Sequence, residues 1–211
     1  MIFSCYFALM KLIFATNNQH KVDEIRAVVK ESIGIITLKE AGIAIDIPEP
    51  HDTLEANATE KSSTIYNMVK GGLSINGCFS EDTGLEVKAL NGEPGVKSAR
   101  YAGEGRSFDK NIQKLLQKLE GKSDRTARFR TVISLIIDGK ETQFDGVCNG
   151  RIIGEKRGTE GFGYDPVFIP DGAEKTFGEM AMEEKKTFSH RTKATEKLVA
   201  FLNTIEPIKK N

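Results

Sequence analysis

Residues 11–29 read KLIFATNNQHKVDEIRAVV, the pattern of a buried strand, a polar loop and an amphipathic helix. The apolar run ends at Thr16, and Asn17 and Asn18 then offer a cap for the helix. The apolar stripe of this helix recurs at three-to-four spacing and consists of Val22, Ile25, Val28 and Val29. A strand–loop–helix unit of this kind is typical of α/β proteins.

The same alternation continues downstream. Residues 35–38 are predicted to form a second short strand, and Asp52-x-x-Glu55 resembles a capping box that starts a helix running to about Val69. Residues 74–80 and 85–90 are then predicted as two strands. A turn at Asp82-Thr83-Gly84 is expected between them.

The second half of the chain predicts one helix, a hairpin and a final helix. Ser107 is the expected cap of the helix that stops at Gly121, and Ser189 begins the last one. Residues 126–138 and 140–155 are β-rich runs around Asp138-Gly139-Lys140, a strong hairpin signal. Helices and strands that alternate around an antiparallel pair predict an α/β class with a mixed sheet.

Composition and charge restrict the possible partners. The chain has 211 residues, 39% hydrophobic and 28% charged, which fits one globular domain. Thirty basic residues balance thirty acidic ones, so the net charge favours neither nucleic acid nor a membrane surface. Three cysteines without a C-x-x-C pair indicate a reducing compartment, and we expect a cytoplasmic protein.

The N-terminal stretch is apolar but does not match a spanning helix. It is shorter than the roughly 20 apolar residues that a span needs, Lys11 interrupts it, and a signal-peptide cleavage site is lacking. We expect residues 1–9 to be an upstream extension or a misassigned start. Residues 10–211 are then predicted to form a single domain that can have two lobes.

The loop after the first strand is a candidate anion site. Unpaired N–H groups and the helix dipole favour an anion at a helix start, and a lysine there adds charge. A polar helix cap with an exposed lysine explains the same residues. The candidate binding residues are Thr16, Asn17, Asn18, Gln19, His20 and Lys21.

Three carboxylates form a candidate metal site. Glu49, Glu81 and Asp82 supply the hard oxygen ligands that Mg²⁺ prefers when it carries a polyphosphate. An ordinary turn explains residues 82–84 equally well.

Two later segments are candidates for holding a planar ring. Residues 158–166 combine flexible backbone, aromatic faces and a carboxylate, and residues 185–191 place cations beside the predicted cap Ser189. The simpler interpretations are a turn that covers a sheet end and a solvated helix start.

In order along the chain, these segments resemble the inosine triphosphate pyrophosphatase family over nearly the whole length from Lys11. The motifs that carry the resemblance are Thr16-Asn17-Asn18-x-x-Lys21, Thr53-Leu54-Glu55-x-Asn57-Ala58 with Lys61, Glu81-Asp82-Thr83-Gly84-Leu85, Pro94-Gly95, Ser98-Ala99-Arg100-Tyr101, Phe162-Gly163-Tyr164-Asp165-Pro166 and Ser189-His190-Arg191.

The resemblance implies an elongated mixed β-sheet with helices forming two lobes around a central nucleotide-binding cleft. It also implies a homodimer, dependence on Mg²⁺, and hydrolysis of noncanonical purine nucleoside triphosphates (inosine, deoxyinosine and xanthosine) to the monophosphate and pyrophosphate. Asp82 is then the base for the attacking water. The expected substrate contacts are the residues of the 16–21 loop, Lys61 and Thr83, with Lys21 and Lys61 on the phosphates. Phe162, Gly163, Tyr164, Asp165, Lys185, His190 and Arg191 are expected around the base.

Base choice is expected to follow from hydrogen-bond polarity. Hypoxanthine and xanthine present an acceptor at C6, where adenine presents a donor, so an Arg191 guanidinium aimed there rejects adenine. Two alternatives stay open, namely a related pyrophosphatase for modified pyrimidine or methylated nucleotides, and a nucleotide-binding module without catalysis.

Overall fold

In the part of the chain that the structure describes, seven strands form one mixed sheet. The computed structural model describes residues 10–29, 33–70 and 75–205, so the predicted extension 1–9 lies outside the described residues. The strands are β1 (Met10–Phe14), β2 (Ile33–Thr37), β3 (Gly77–Val87), β4 (Pro94–Gly95), β5 (Thr126–Ile137), β6 (Lys140–Ile152) and β7 (Phe168–Pro170).

Five α-helices pack on this sheet within the described residues, and short 3₁₀ turns follow several strands. Asn18, Ser107 and Ser189 cap the first, third and fifth helices through their side-chain oxygens, as predicted. The helices are α1 (Gln19–Arg26), α2 (Leu54–Val69), α3 (Phe108–Lys118), α4 (Met182–Lys186) and α5 (His190–Leu202).

The strand order is β2-β1-β3-β5-β6-β7, with β4 paired to β3 outside this path. β1 runs parallel to β2 and to β3, whereas β3, β5 and β6 are antiparallel neighbours. The β5–β6 hairpin turns at Asp138 and Gly139, whose φ angles are 50° and 76°. The predicted α/β class with a mixed sheet is therefore confirmed.

Apolar side chains pack on both faces and at both ends of the sheet. The three largest clusters include Leu12, Phe14, Phe79 and Leu198 under α1 and α5, Ile13, Ile65 and Cys78 under α2, and Leu85, Leu115, Phe129, Phe168 and Phe177 around α3. One sheet carries all three clusters. The division into two lobes stays a prediction.

The predicted turn at residues 82–84 is wrong. β3 is continuous, and every residue from Gly77 to Val87 pairs with a residue of β5. Gly84 serves close approach instead, since a Cβ there would lie 2.7 Å from the carbonyl oxygen of Gly95 in β4. Successive side chains of a strand point to opposite faces, so Glu81 and Asp82 lie on opposite faces of the sheet.

The predicted cap of α2 is wrong by one residue. The helix begins at Leu54, and the Oγ1 of Thr53 accepts a hydrogen bond from the N–H of Ala56 at 3.2 Å, so Thr53 rather than Asp52 is the N-cap. The predicted end at Val69 is confirmed. In the part of the chain that the structure describes, no helix is long and apolar enough to cross a membrane.

Candidate active site

Two adjoining cavities lie where β1, α1, α2, β3 and the loop before α3 meet. The smaller encloses about 120 Å³ and the larger about 460 Å³. Asn18, Lys21, Glu49, Ala99 and Phe108 line both. Together the cavities form one cleft with two compartments.

The loop after β1 lines the larger cavity. All six predicted residues, 16–21, are among its lining residues, as is Lys61. The loop is shaped by its own polar side chains: the Oδ1 of Asn18 accepts from the N–H of His20 at 3.0 Å, and the Nδ2 of Asn17 donates to the carbonyl oxygen of Ile45 at 2.9 Å. The structure thus brings the predicted anion-binding residues together at one end of the cleft.

Glu81 is buried and held by two cations. Its carboxylate accepts from Nε and Nη2 of Arg191 at 2.7 and 2.9 Å, and Lys21 lies 3.0 Å away. Burial alone would raise the pKa of Glu81, but Arg191 and Lys21 bring it well below its usual range. Glu81 is therefore ionised, with both oxygens engaged, and it lines neither cavity.

Arg191 is 1% exposed and joins Glu81 to a second carboxylate, Glu24 of α1. Glu24 also accepts from Nζ of Lys185 at 2.7 Å. Burial raises the pKa of Glu24, but Arg191 and Lys185 outweigh it and lower the pKa to about 2. Sequence reasoning missed Glu24. The feature that could have identified Glu24 is its position three residues after Lys21, on the same side of α1.

On the opposite face of β3, Asp82 and Glu49 share one lysine. Nζ of Lys61 lies 2.9 Å from Oδ1 of Asp82 and 2.7 Å from Oε1 of Glu49. Asn57 donates to the other oxygen of Asp82 at 3.3 Å. Burial raises the pKa of Asp82 despite Lys61 and Lys21. For Glu49, Lys61 and its neighbours overcome the effect of burial and lower the pKa.

Arg100, which follows a short turn after β4, holds the loop that carries Glu49. Its Nη2 donates to the carbonyl oxygen of Glu49 at 2.8 Å, and its Nη1 lies 3.5 Å from Oε2 of the same residue. The sequence places Arg100 in a family motif but suggests no role for it. Its partner lies 51 residues earlier in the chain.

Aromatic and polar side chains form the smaller compartment. Phe162 stacks on His20 with ring centroids 5.1 Å apart. Asp165 accepts from the N–H of Phe162 and from Nζ of Lys185, both at 2.8 Å. Of the predicted contacts, those that line this compartment are Asn18, Lys21, Thr83, Phe162, Gly163, Tyr164, Asp165, Lys185, His190 and Arg191.

His190 is a neutral, buried imidazole at the edge of this compartment. It is 3% exposed and stacks on Phe129 at 4.7 Å. Burial and the adjacent Arg191 hold the pKa of His190 well below its ordinary value. Its Nδ1 has no hydrogen-bond partner among the described residues. A buried polar atom without a partner at a cavity wall is suited to a ligand.

A model of the Ham1 family matches residues 12–201 of this chain, which includes every segment that lines the cleft. The chain belongs to the Ham1 family. The match confirms the resemblance drawn from the sequence motifs.

Relatives within the Ham1 family support the same assignment. The chain is 49% identical over 193 residues to the dITP/XTP pyrophosphatase of Flavobacterium johnsoniae, covering 92% of this chain and 98% of the relative. It superposes on the Ham1 protein of Staphylococcus aureus with a TM-score of 0.81 and 39% identity, over 92% and 98% of the two chains. For a Ham1 protein from Coxiella burnetii the TM-score is 0.83 at 34% identity, over 93% and 100%.

The carboxylates of this Ham1-family chain fit a divalent cation in part. Within the described ranges, no three His, Cys, Asp or Glu side chains form a preformed cluster. Glu49 and Asp82 converge on Lys61 and line the cleft, and Mg²⁺ is commonly held by one or two carboxylates plus substrate phosphates. Glu81 lies on the other face of β3, so its predicted place as a ligand stays a prediction.

Proposed function

We propose that this Ham1-family chain hydrolyses noncanonical purine nucleoside triphosphates to the monophosphate and pyrophosphate. The observation that carries the proposal is the group Glu49–Lys61–Asp82 at the border of the two compartments. This group places two carboxylates and a cation between the two compartments. A nucleotide with its phosphates in the larger compartment and its base in the smaller one would pass beside it. The activity named for the Flavobacterium johnsoniae relative supports the same substrates.

The larger compartment suits the triphosphate. The backbone N–H groups at the start of α1 and the side chains of Lys21 and Lys61 line it, and such groups favour phosphate oxygens. Asp82 and Glu49 raise the pKa of Lys61 against the effect of burial, so this side chain stays protonated. Phosphoryl chemistry asks the protein mainly for positioning and charge neutralisation, and both are present.

Asp82 is the base that we propose for the attacking water. Asp82 is 5% exposed and lines the smaller compartment, next to the phosphate side. A carboxylate at this place can accept a proton from a water molecule that attacks the phosphate chain. Asn57 and Lys61 hold the carboxylate in place through both oxygens.

We propose Mg²⁺ as the metal, held by Glu49 and Asp82. When bound, it would neutralise charge on the phosphate oxygens. The donor chemistry supports this choice, since carboxylate oxygens suit a hard cation.

The smaller compartment suits a purine base. Phe162, which stacks on His20, gives this compartment an aromatic wall, and Lys185 and His190, whose Nδ1 has no partner among the described residues, also line it. Arg191 donates four hydrogen bonds to Glu81, Glu24 and Thr83. A guanidinium has five N–H groups, so one remains for the C6 oxygen of hypoxanthine or xanthine. Adenine presents a donor there, and such a mismatch can discriminate by about 10⁴-fold.

The homodimer, which rests on the family resemblance, and the cytoplasmic location, which rests on the cysteine content, remain proposals. Light scattering on the purified protein tests the dimer. A mass equal to that of one chain would contradict it.

The experiment that tests the proposed activity is pyrophosphate release with Mg²⁺ across inosine, deoxyinosine, xanthosine, adenosine, guanosine, cytidine and uridine triphosphates, with modified pyrimidine and methylated nucleotides alongside. We expect the first three to turn over fastest, with one pyrophosphate per monophosphate. Preference for a modified pyrimidine would favour the alternative enzyme. Binding without turnover of any of them would indicate a nucleotide-binding module.

A further inference from the structure

The cations of the larger compartment are mostly committed to carboxylates before any substrate binds. Lys21 lies 3.0 Å from Glu81, and Lys61 contacts both Glu49 and Asp82 within 2.9 Å. A triphosphate with one divalent cation still carries net negative charge. Its far end therefore needs positive charge that the protein has not already neutralised.

Arg106 is the lining residue that meets this need. It lines the larger compartment together with Lys21, Lys61 and Glu49. Among the described residues the guanidinium of Arg106 has no ion pair. Its backbone N–H donates to the carbonyl oxygen of Gly103 at 3.3 Å. Arg106 is exposed, so its side chain is free to reorient towards a ligand.

The backbone at Arg106 is unusual for an arginine. Its φ angle is 47°, in the left-handed region that favours glycine. Gly103 and Gly105 are in the same loop, so a flexible backbone is already present. An arginine at a position that glycine would occupy with less strain is consistent with a functional role for the Arg106 side chain.

Arg106 comes from a different segment of the chain than Lys21 and Lys61. It comes two residues before Phe108, where α3 begins, and α3 packs in the apolar cluster of Leu115 and Phe129. Lys21 and Lys61 come from α1 and α2. A phosphate group in this compartment can therefore be contacted by residues from three separate segments of the chain.

We propose that Arg106, which lines the same compartment as Lys21 and Lys61, binds the terminal phosphates of the substrate and then the departing pyrophosphate. This inference rests on the proposed function for the identity of the substrate. It adds a substrate-binding residue that neither the sequence motifs nor the helix-start argument identified.

The test is calorimetric binding of pyrophosphate and of tripolyphosphate, with Mg²⁺, to the full chain and to Arg106→Ala. Neither probe contains a base, and neither measurement needs turnover. We expect the Kd of both probes to rise about tenfold, as loss of one charge-assisted hydrogen bond implies. The KM for inosine triphosphate should rise by a similar factor, whereas the Kd of inosine monophosphate should change less than twofold.

Two further variants serve as controls. Arg106→Lys keeps the charge and should recover part of the affinity for pyrophosphate. Arg151→Ala removes an exposed arginine of β6 that lines a different cavity and should leave both Kd values unchanged. Together these separate a local contact from the general loss of one positive charge.

Three outcomes would overturn the proposal. The first is an unchanged Kd for pyrophosphate in Arg106→Ala. The second is an equal loss of affinity for inosine monophosphate, and the third is the same effect in Arg151→Ala. If the unaltered chain instead binds pyrophosphate but turns over no purine triphosphate, the proposed function fails while the Arg106 contact still stands.

Discussion

Arg191 and Glu81 lie 110 positions apart in the sequence and form a two-bond ion pair inside the protein, with Nε–Oε2 and Nη2–Oε1 distances of 2.7 and 2.9 Å. Both side chains are buried. The pair joins the start of α5 to the middle of β3, and Arg191 also lines the smaller compartment. It fixes where Lys21, the second partner of Glu81, is held.

Stability should depend strongly on this pair. Arg191→Met leaves Glu81 buried with only Lys21 as a cation, so we expect the free energy of unfolding to fall by about 3–5 kcal/mol. Adding Glu81→Gln to that variant should recover part of the loss, because the unpaired charge is then removed. Urea denaturation of both single variants and the double variant measures the coupling. Additive losses would contradict the interpretation.

The exposed pair of Arg128 with Glu86 is the control, and Arg128→Ala should lower the free energy of unfolding by at most about 1 kcal/mol.

Catalysis should depend on Asp82. Asp82→Asn keeps the shape of the side chain but removes the proton acceptor, so kcat for inosine triphosphate should fall about 10²-fold or more. The variant should still fold, with a modestly lower melting temperature, because the amide oxygen can accept from Lys61 while its NH2 group then faces the Nδ2 donor of Asn57. Asp145→Asn, at an exposed ion pair with Lys197, is the matched control and should keep full activity. An Asp82→Asn variant with normal turnover would exclude Asp82 as the base.

Phosphate binding should depend on Lys21. Lys21→Ala is expected to weaken the binding of inosine triphosphate at least about tenfold and that of inosine by much less, because the contact is with phosphate. Calorimetry on both ligands measures the difference. Lys193→Ala removes an exposed lysine of α5 and serves as the control. An equal loss of affinity for inosine triphosphate and for inosine would indicate that Lys21 acts by holding Glu81 and not by binding phosphate.

Arg100 should act as a positioning residue through Glu49. Arg100→Gln loses the ion pair with the Glu49 carboxylate and weakens the hold on its carbonyl oxygen. We expect the Mg²⁺ concentration for half-maximal activity to rise about threefold to tenfold, with a smaller change in KM for the nucleotide. Arg100→Lys should recover part of the effect. A change in melting temperature without any change in Mg²⁺ dependence would indicate a purely structural role.

The pH dependence of stability should include a contribution from Glu24. Arg191 and Lys185 hold its folded-state pKa at about 2, below the ordinary 4.5. A carboxyl with a lowered pKa contributes stability above the unfolded pKa and loses it as the pH falls towards the folded pKa. We therefore expect about 3 kcal/mol to be lost between roughly pH 5 and pH 2.

Glu24→Gln should flatten this part of the stability profile, measured by urea denaturation at each pH. Asp109→Asn, which removes an exposed carboxylate, is the matched control. An unchanged profile in Glu24→Gln would contradict the assignment.

Features that depend on neighbouring residues were predictable from the sequence. The Asp138-Gly139 hairpin and the caps Asn18, Ser107 and Ser189 each follow from local backbone chemistry. Anion binding by the loop at residues 16–21 stays a prediction. Turn geometry, capping and helix periodicity act within a few residues, so a single sequence contains the information. The order of the motifs along the chain predicted the family, and the match to the family model confirmed it.

Only the tertiary structure decided which charged groups meet. The sequence predicts a turn at residues 82–84, but pairing with β5 along its whole length extends β3 through them and sends Glu81 and Asp82 to opposite faces. Glu24 meets Lys185 and Arg191 across 161 and 167 positions, and no local pattern specifies such a contact. Burial then sets their electrostatics, because the same charges in water would interact weakly.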